Sequence, residues 1–420
     1  MSDLTHYTLS NGLNVILREV HSAPVISWWL AYRIGSRNEP TGKTGISHWV
    51  EHMMFKGTPS YPPGTLDRTV DRSGGQWNAF TSSDYTMYYM TMPADRVSIP
   101  MEVEADRMFN TIFDPEEVES ERTVIISERQ GAENKPTFWL NEALKATAFR
   151  VHGYHHEILG DMAVLVTISR DDLYEHYQRY YRPSNATLVA VGAFDTAEMQ
   201  EKIEAIYGGL PLLDKPTEWV RPEPPQIGER RVVVERPGNT SFVKYAYHVP
   251  NTMHDDWYKL DVLDSILTGA SGISNKTSRL YKALVQTELA VNVSGGVYES
   301  IDPNLYTITI TARQGRSHQE IETALDAEIE RIKNEGISHE ELERSRKRAR
   351  ASFAYATEGI TEQAYWLAQS ALLGDLHWFD RYLDRMQAVT VEDVQEAAQK
   401  YLIKQNRTVG WLVPTGMEID

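Results

Sequence analysis

Residues 45–58 read GISHWVEHMMFKGT, and His48, Glu51 and His52 stand there in the order H-x-x-E-H. On an α-helix, positions i, i+3 and i+4 lie on one face, so both imidazoles can reach the same point in space. Local signals predict that helix, because Ser47 can cap its start and Gly57 can end it. Apolar residues recur at helical spacing along it: Ile46, Trp49, Val50, Met53 and Met54.

The order H-x-x-E-H is typical of metal-dependent hydrolases in which the two histidines bind the metal and the glutamate is the general base. His48 and His52 are therefore the candidate ligands, and Glu51 is the candidate base. The alternative is an exposed polar helix face that binds nothing. A catalytic zinc site also needs a third protein ligand and one open position.

The best candidate for the third ligand lies in DPEEVESERTVIISERQ, residues 114–130. Asp114 is a good N-cap and a proline follows it, which predicts a helix start. Val118, Glu121, Ile125 and Glu128 then recur at spacings of three and four. An acidic residue on an inward-facing helix face usually has a partner. A solvated, glutamate-rich helix is the alternative.

Glu128 lies 76 residues beyond His52 (128 − 52 = 76) and ends the segment ERTVIISE. The chain here resembles the pitrilysin/insulinase family of zinc peptidases, most of all its processing-peptidase-like branch. Members carry H-x-x-E-H and take a third ligand at about this separation from ER-x-V-I-x-x-E. The resemblance implies one Zn²⁺ per chain held by His48, His52 and Glu128, with Glu51 as the catalytic base.

The resemblance extends over nearly the whole chain, because GGQWNAFTSSDYTMYY, YRPSNATLVAVG and SRLYKAL match further family segments. It implies that Asn78, Ala79 and Phe80 hold the substrate backbone as an added β-strand. It also implies that Glu121 supports the metal by accepting the free N–H of a ligand histidine. The expected activity is that of a zinc metalloendopeptidase, which hydrolyses peptides or unstructured segments in a chamber closed by two halves.

Composition and charge exclude some classes of partner for this chain. The chain has 420 residues, a formal net charge of −17 and no cysteine. Such a charge argues against nucleic acid, whose phosphates would be repelled. Without cysteine there is neither a disulfide nor a thiolate metal site. No run approaches the length of a membrane span, and the first residues lack the features of a signal peptide. We expect a cytoplasmic protein without membrane contact, although the composition also fits the periplasm.

The order of patterns predicts the α+β class with two homologous domains, each a mainly antiparallel sheet with helices packed on it. The first domain, residues 1–208, carries the zinc motif and opens with a hairpin turning at Asn11-Gly12. Residues 209–228 are rich in Pro and Gly and are predicted to be a linker. Residues 229–420 form the non-catalytic domain, and RRVVVERPGNTSFVKYAYHVP at its start resembles the opening hairpin and the strand after it.

An internal repeat supports the two halves. TVEDVQEAAQKYLIKQNRTVGWLV parallels SRDDLYEHYQRYYRPSNATLVAVG at a constant offset of 221 (390 − 169 = 221). The offset pairs Ser169 with Thr390, Asp172 with Asp393, Tyr180 with Tyr401, and Asn185 with Asn406. Duplication is the simplest interpretation. Shared turn chemistry alone is the alternative for so short a match.

The second half does not repeat the metal motif. Placing FKGT over LTGA puts Leu260, Leu263 and Asp264 where His48, Glu51 and His52 stand in the first half. Leucine cannot bind a metal ion. One half is therefore expected to carry the chemistry, and the other to line the chamber or hold substrate.

A second departure concerns the far side of that chamber. Self-sufficient family members carry in the second half an Arg and, further on, a Tyr that bind substrate. In LVQTELAVNV, residues 284–293, Val285 stands in place of the Arg and Val291 in place of the Tyr, with one residue deleted between them. Valine offers neither a cationic fork nor a hydroxyl.

The departure predicts that this chain is the zinc-bearing subunit of a heterodimer whose homologous partner supplies the Arg/Tyr pair. Alternatively, the chain works without the pair, or Tyr281 or Tyr298 replaces it; a homodimer is a weaker possibility. The competing function is a non-catalytic structural subunit, like the core proteins of respiratory complexes. Such proteins typically lose the zinc residues, whereas all four are present here.

Overall fold

The first sheet has six strands, which the computed structural model places in the order β1-β2-β6-β3-β5-β4. The strands are β1 Leu4–Thr8, β2 Asn14–Glu19, β3 Val25–Tyr32, β4 Gln76–Thr81, β5 Thr86–Pro93 and β6 Ala186–Gly192. Only β2 and β6 run parallel, and every other neighbouring pair is antiparallel. The predicted opening hairpin is present, and Gly12 adopts the positive φ of 91° that its turn requires.

The structure describes residues 4–218, 220–269 and 275–416. Eight α-helices precede the linker: α1 Ile46–Met53, α2 Thr65–Arg72, α3 Ser98–Asn110, α4 Pro115–Glu133, α5 Pro136–Ala148, α6 Met162–Leu165, α7 Arg170–Tyr180 and α8 Thr196–Tyr207. Those after it are α9 Asp256–Leu267, α10 His318–Glu335, α11 His339–Ala356, α12 Ile360–Leu373, α13 Trp378–Ala388 and α14 Val391–Tyr401. Across these ranges, no helix combines the length and the apolar character that crossing a bilayer requires.

The second sheet has five strands in the order β7-β11-β8-β10-β9. They are β7 Arg230–Arg236, β8 Phe242–Val249, β9 Ala290–Val297, β10 Asn304–Ala312 and β11 Arg407–Pro414. The order repeats β2-β6-β3-β5-β4 of the first sheet, including one parallel pair, β7 with β11. The predicted fold class, α+β with two related and mainly antiparallel sheets, is confirmed.

One detail of the predicted repeat is wrong. β7 and β8 do not form a hairpin, because β11 lies between them and pairs with both. Among the described residues of this sheet, β7 is an edge strand and corresponds to β2, with no strand in the place of β1. Turn residues between two strands therefore do not by themselves indicate a hairpin when a distant strand can insert.

The two segments related by the offset of 221 form the same hydrogen bonds. Ser169 and Thr390 each cap a helix and form reciprocal capping boxes with the aspartate three residues later. Asn185 Nδ2 donates to the Tyr180 carbonyl at 3.0 Å, and Asn406 Nδ2 donates to the Tyr401 carbonyl at 3.0 Å. The two segments thus end their helices and start their strands in the same way.

Each sheet belongs to its own compact unit, and each unit is assembled from three segments. Residues 1–130, 156–221 and 356–379 form the first unit, and residues 131–155, 222–355 and 380–420 form the second. Helix α12 from the C-terminal half packs on β3 and β6 of the first unit, whereas α5 from the N-terminal half packs on β7 and β11 of the second. The predicted domain boundaries at 208 and 229 stay a prediction about sequence halves.

The predicted linker contains no helix or strand among its described residues. Two side chains in its middle, Glu218 and Glu223, nevertheless anchor it. The Glu218 carboxylate pairs with Arg33 at 2.6 Å and with Arg37 at 3.0 Å in the first unit. In the second unit, the Glu223 carboxylate accepts backbone N–H bonds from Arg150, Val151 and His152.

Candidate metal centre

Several contacts fix the start of helix α1. Gly45 precedes it with φ of 89°, and a Cβ there would come within 2.8 Å of the Leu159 carbonyl oxygen. The buried Glu39 carboxylate accepts the backbone N–H groups of Gly45 and Ser47, each at 2.8 Å. These bonds satisfy two of the amides that a helix start leaves free. On the inward face Trp49, Val50 and Met53 are fully buried, so α1 can take only one rotation about its axis.

That rotation places His48 and His52 on one side of the helix, facing Glu128 of α4. The Nε2 atoms of both histidines lie 3.6 Å from Glu128 Oε2, and the three ligand atoms lie within 4.8 Å of one another. Zn–N and Zn–O bonds of about 2.0–2.1 Å in a tetrahedron separate ligand atoms by about 3.3 Å. The side chains therefore fit a single metal ion with little adjustment.

The His52 ring is held by a second helix. Its Nδ1 lies 2.7 Å from Glu121 Oε1, which leaves Nε2 directed at the metal position. Burial opposes the charged imidazolium, but Glu121, Glu128 and Glu51 outweigh it and raise the pKa of His52. Burial likewise favours a neutral Glu121, but its bonds to His52 and Lys56 lower the pKa of this carboxyl. Glu121 thus stays an anion that orients the histidine.

The His48 ring has a different environment. Burial, followed by the neighbouring His52, lowers the pKa of His48 to about 3. The ring is therefore neutral at ordinary pH, and neutral imidazole is the form that binds a metal. Its buried Nδ1 has no hydrogen-bond partner among the described residues.

Glu51 interacts electrostatically with His52 and Glu128 but is not part of the ligand group. Its Oε2 accepts a hydrogen bond from Thr81 Oγ1 at 2.5 Å, and only 7% of the residue is exposed. Burial is the main influence on its carboxyl and raises the pKa of Glu51 above the usual range. A buried carboxylate with a raised pKa, next to a metal position, is suited to accept a proton from water.

Strand β4, which contains Asn78, Ala79 and Phe80, forms the edge of the first sheet within the described ranges, and the role of these residues in substrate binding stays a prediction. The backbone N–H of Ala79 donates to the Asn78 side-chain oxygen at 2.8 Å instead of to β5. This N–H therefore points away from the sheet, towards the place where another strand would pair.

Three residues that the sequence analysis did not single out complete the centre. Glu39 caps α1, Lys56 pairs with Glu121, and Thr81 binds Glu51. Only Thr81 had a sequence signal, because strand period two places it on the same face as Ala79. Glu39 is separated from α1 by a loop, so no periodicity connects them.

No second group of this kind occurs within residues 4–218, 220–269 and 275–416. In α9, Leu260 and Leu263 are fully buried and Asp264 is buried beside Thr268, as the predicted replacement of the motif requires. His152 and His155 do not cluster for a metal either, and His152 lies 3.2 Å from the Asp302 carboxylate.

Sequence profiles of one family match both halves. The insulinase family (peptidase family M16) matches residues 14–162, and the peptidase M16 inactive domain matches residues 167–349. The chain belongs to the peptidase M16 family. The residues of the candidate metal centre all lie within the insulinase match, and none lies within the inactive-domain match.

Relatives within the M16 family are named as zinc proteases. The zinc protease PqqE of Helicobacter pylori is 28% identical over 97% of this chain and 92% of its own length. The uncharacterized zinc protease YmxG of Bacillus subtilis is 25% identical over 98% of this chain and 99% of its own. The crystal structure of a protease from Helicobacter pylori superposes with a TM-score of 0.93 at 27% identity, covering 99% of this chain and 100% of that one.

Proposed function

We propose that this chain is a zinc-dependent metalloendopeptidase of the processing-peptidase-like branch. The observation that carries the proposal is the convergence of His48, His52 and Glu128 on one point, with Glu51 close enough to His52 and Glu128 to interact with them electrostatically. The H-x-x-E-H motif then has the roles its spacing predicts. Zinc is the proposed metal because the donors are two imidazoles and one carboxylate, and because the relatives are named zinc proteases.

Bound Zn²⁺ supplies a Lewis acid that polarises the scissile carbonyl and lowers the pKa of a water molecule. Glu51 takes a proton from the attacking water and passes it to the leaving amine. The Thr81 hydroxyl donates to one oxygen of the Glu51 carboxylate, which leaves the other oxygen to accept the proton. Glu121 keeps His52 in the tautomer that presents Nε2.

The proposed substrates are peptides or unstructured protein segments. β4 offers outward backbone groups at Ala79, and a chain must be extended to pair with them. A bound carbonyl would take the place of the Asn78 side chain on the Ala79 N–H. Asn78 would then be free to bind the substrate backbone, as proposed with Phe80 for this segment. A folded domain cannot present such a strand without unfolding.

The partner is a further part of the proposal. Val285 ends a π-helical turn at Tyr281–Val285, and Val291 lies on edge strand β9 with 62% of its surface exposed. Neither valine side chain has a donor for a substrate carboxylate or carbonyl. We therefore propose a homologous partner subunit that lacks H-x-x-E-H and supplies the missing Arg and Tyr. The zinc-bearing chain and this partner would form the active heterodimer.

A non-catalytic structural subunit is the second candidate, and the match of residues 167–349 to the M16 inactive domain favours it. Metal content separates the two functions. The peptidase is expected to bind about one zinc per chain, because its three ligands converge. A structural subunit has no need of the ion.

The test of the peptidase is digestion of a mixed peptide pool, analysed by mass spectrometry. Cleavage should stop with a chelator and return when zinc is added back. A pool left intact by metal-loaded protein, with and without a homologous partner, would contradict the proposal. The partner is tested separately by comparing the lone chain with the reconstituted pair. Full activity of the lone chain, unchanged by the partner, would show that no second subunit is needed.

A further inference from the structure

The candidate metal ligands come from two helices, so the size of the site depends on the distance between those helices. His48 and His52 belong to α1, and Glu128 belongs to α4. Zinc bonds to nitrogen and oxygen are only about 2.0–2.2 Å long, and such a site has to be held within about 0.5 Å of its working geometry. The fold must therefore fix α4 relative to α1.

Two arginines of α4 follow directly after the two glutamates of the centre. Arg122 follows Glu121 and Arg129 follows Glu128, so the arginines have the same separation as the glutamates (129 − 122 = 7 and 128 − 121 = 7). Because one residue turns a helix by about 100°, both arginines lie on a neighbouring side of α4. Both donate to backbone carbonyls within residues 159–168, which we call the bridging segment.

Arg129 connects α4 with the start of α1 through the bridging segment. The residue is only 3% exposed, and its Nη1 donates to the Gly160 carbonyl at 2.6 Å. Gly160 has a φ of 76° and packs against the N-cap of α1, since a Cβ on it would come within 2.6 Å of the Gly45 Cα. The next residue holds the same place, because the Thr44 hydroxyl lies 3.0 Å from both the backbone nitrogen and the carboxylate of Asp161.

Arg122 contacts both α1 and the bridging segment directly. Its guanidinium lies over the Trp49 ring of α1, 4.7 Å from the ring centroid. It also donates to the carbonyls of Leu165 and Ile168 at 2.6 and 2.8 Å. Trp49 is fully buried and stands next to the first ligand histidine in the chain. The planar guanidinium, engaged on its face and on its edges, is therefore a rigid spacer between the two ligand helices.

Building on the proposed zinc site, we propose that Arg122 and Arg129 are positioning residues that set the distance between α1 and α4 and thereby the size of the metal site. Neither arginine is a ligand, because a guanidinium has no lone pair to offer a metal ion. Both act through the helices that carry the ligands. The spacing they hold suits a small ion such as Zn²⁺. A wider spacing weakens the binding of Zn²⁺ more than that of a larger ion such as Cd²⁺.

The experiment compares the affinities of the full chain for Zn²⁺ and Cd²⁺, each measured by competition with a fluorescent chelator. Arg122→Met and Arg129→Met remove the donors and keep an unbranched side chain. Zinc affinity should fall about tenfold in each variant, which is the usual effect of removing a group that supports a ligand. Cadmium affinity should fall less, so the ratio of the two affinities should change several-fold. Arg122→Lys keeps a cation over Trp49 and one donor, and it should restore part of the ratio.

Arg170→Met is the matched control for a general loss of stability. Arg170 donates to the carbonyls of Phe113 and Ile112 at 2.9 and 3.1 Å and lies 4.3 Å from the centroid of the Tyr174 ring. These contacts are of the same kind as those of Arg122, but none of them involves α1 or the bridging segment. Chemical denaturation should show similar losses of stability for Arg122→Met and Arg170→Met, whereas Arg170→Met should keep the wild-type ratio of affinities.

An unchanged ratio in Arg122→Met and Arg129→Met would overturn the inference, and so would an equal change in Arg170→Met. Arg122, whose side chain is 17% exposed, decides the test alone if Arg129→Met does not fold.

Metal binding separates this inference from the peptidase proposal, because it is measured without substrate. A changed ratio in the variants of a chain that binds zinc but cleaves no peptide supports the inference and overturns the peptidase function. Cleavage by the wild type, together with a wild-type ratio in both variants, overturns the inference alone. A wild-type chain that binds no zinc would overturn both.

Discussion

Helices α1 and α9 occupy corresponding places beside the two sheets, but the corresponding face is polar in α1 and mostly apolar in α9. α1 turns His48, Glu51 and His52 towards the candidate metal position, and each keeps some exposure or a polar partner. In α9 the matching Leu260 and Leu263 are fully buried. One scaffold thus uses the same helix face for a site in one unit and for core packing in the other.

The neighbouring edge strands differ in the same way. In the first unit, Thr81 of β4 donates to Glu51. In the second, Gly295 of β9 lies against Asp264, and a Cβ there would come within 2.6 Å of its carboxylate. Asp264 instead accepts a hydrogen bond from Thr268 of its own helix turn at 2.7 Å. The Asp264 carboxylate is thereby enclosed between its own helix turn and β9.

The largest expected effect is on peptide hydrolysis and comes from removing the general base of α1, which α9 also lacks. Glu51→Gln should lower peptide hydrolysis by about 10²–10⁴-fold, because an amide cannot accept the proton of the attacking water. Bound zinc, measured by elemental analysis, should stay close to the wild-type value. Glu128→Gln is the matched comparison and should weaken zinc binding itself, because Glu128 is a proposed ligand. Loss of zinc from Glu51→Gln would show that Glu51 is a ligand.

A smaller effect is expected from the partner of His52. Glu121→Gln should weaken zinc affinity about 10–100-fold, because the amide is a poorer acceptor for the His52 Nδ1–H and no longer pairs with Lys56. Competition with a fluorescent chelator measures this affinity. Glu119→Gln is the control on the same helix, since that side chain is 65% exposed. Equal affinities for both variants would remove Glu121 from the metal centre.

The starts of the two helices give the next test. Glu39→Ala leaves the Gly45 and Ser47 amides without their acceptor and should lower the free energy of unfolding by about 1–3 kcal/mol. Asp255→Ala at the start of α9 should cost less than about 0.5 kcal/mol, because this residue makes no capping bond and its ion pair with Arg385 is exposed. Chemical denaturation compares them. Similar losses would mean that Glu39 does not stabilise α1.

The smallest effect concerns pH and the closed carboxylate of α9. Burial raises the pKa of Asp264 from 3.8 to about 7, so the folded state holds this proton more tightly than the unfolded chain. Its contribution to stability is therefore greatest at low pH and is lost as pH rises from about 4 to 7. Asp264→Asn cannot ionise, so its loss of stability between about pH 5 and pH 6 should be smaller by about 1 kcal/mol.

The pH dependence of stability does not come from Asp264 alone. Burial also raises the pKa of Asp261 to about 6 and that of Glu299 to about 7, so part of the pH dependence stays in the variant. The tyrosines that face Asp264, Tyr298 and Tyr306, have pKa values raised above the usual range and stay neutral here. Asp255→Asn on the same helix is the control. Parallel pH profiles for wild type and Asp264→Asn would show that Asp264 is not the titrating group.

Local signals in the sequence predicted many of the helices and strands and the two candidate ligand histidines, whereas the resemblance to the family implied the roles of Glu121 and Glu128. Helical spacing brought His48 and His52 onto one face of α1, and the seven-residue separation placed Glu121 and Glu128 on one face of α4. The constant offset of 221 identified the repeat, and the structure has capping boxes at Ser169 and Thr390 within it. These features follow from the geometry of a single helix or turn, which the sequence of that segment contains.

The tertiary structure decided which elements meet. Periodicity shows which residues share a face, but it does not show what covers that face, because packing joins segments far apart in the chain. Glu128 therefore reached the histidines only through the packing of α4 on the first unit, and Thr81 reached Glu51 only through the sheet register. The exchange of α5 and α12 between the sequence halves had no local signal, because the sequence of a helix does not show which sheet it packs on. That exchange brings Glu362 to the edge strand of the first sheet.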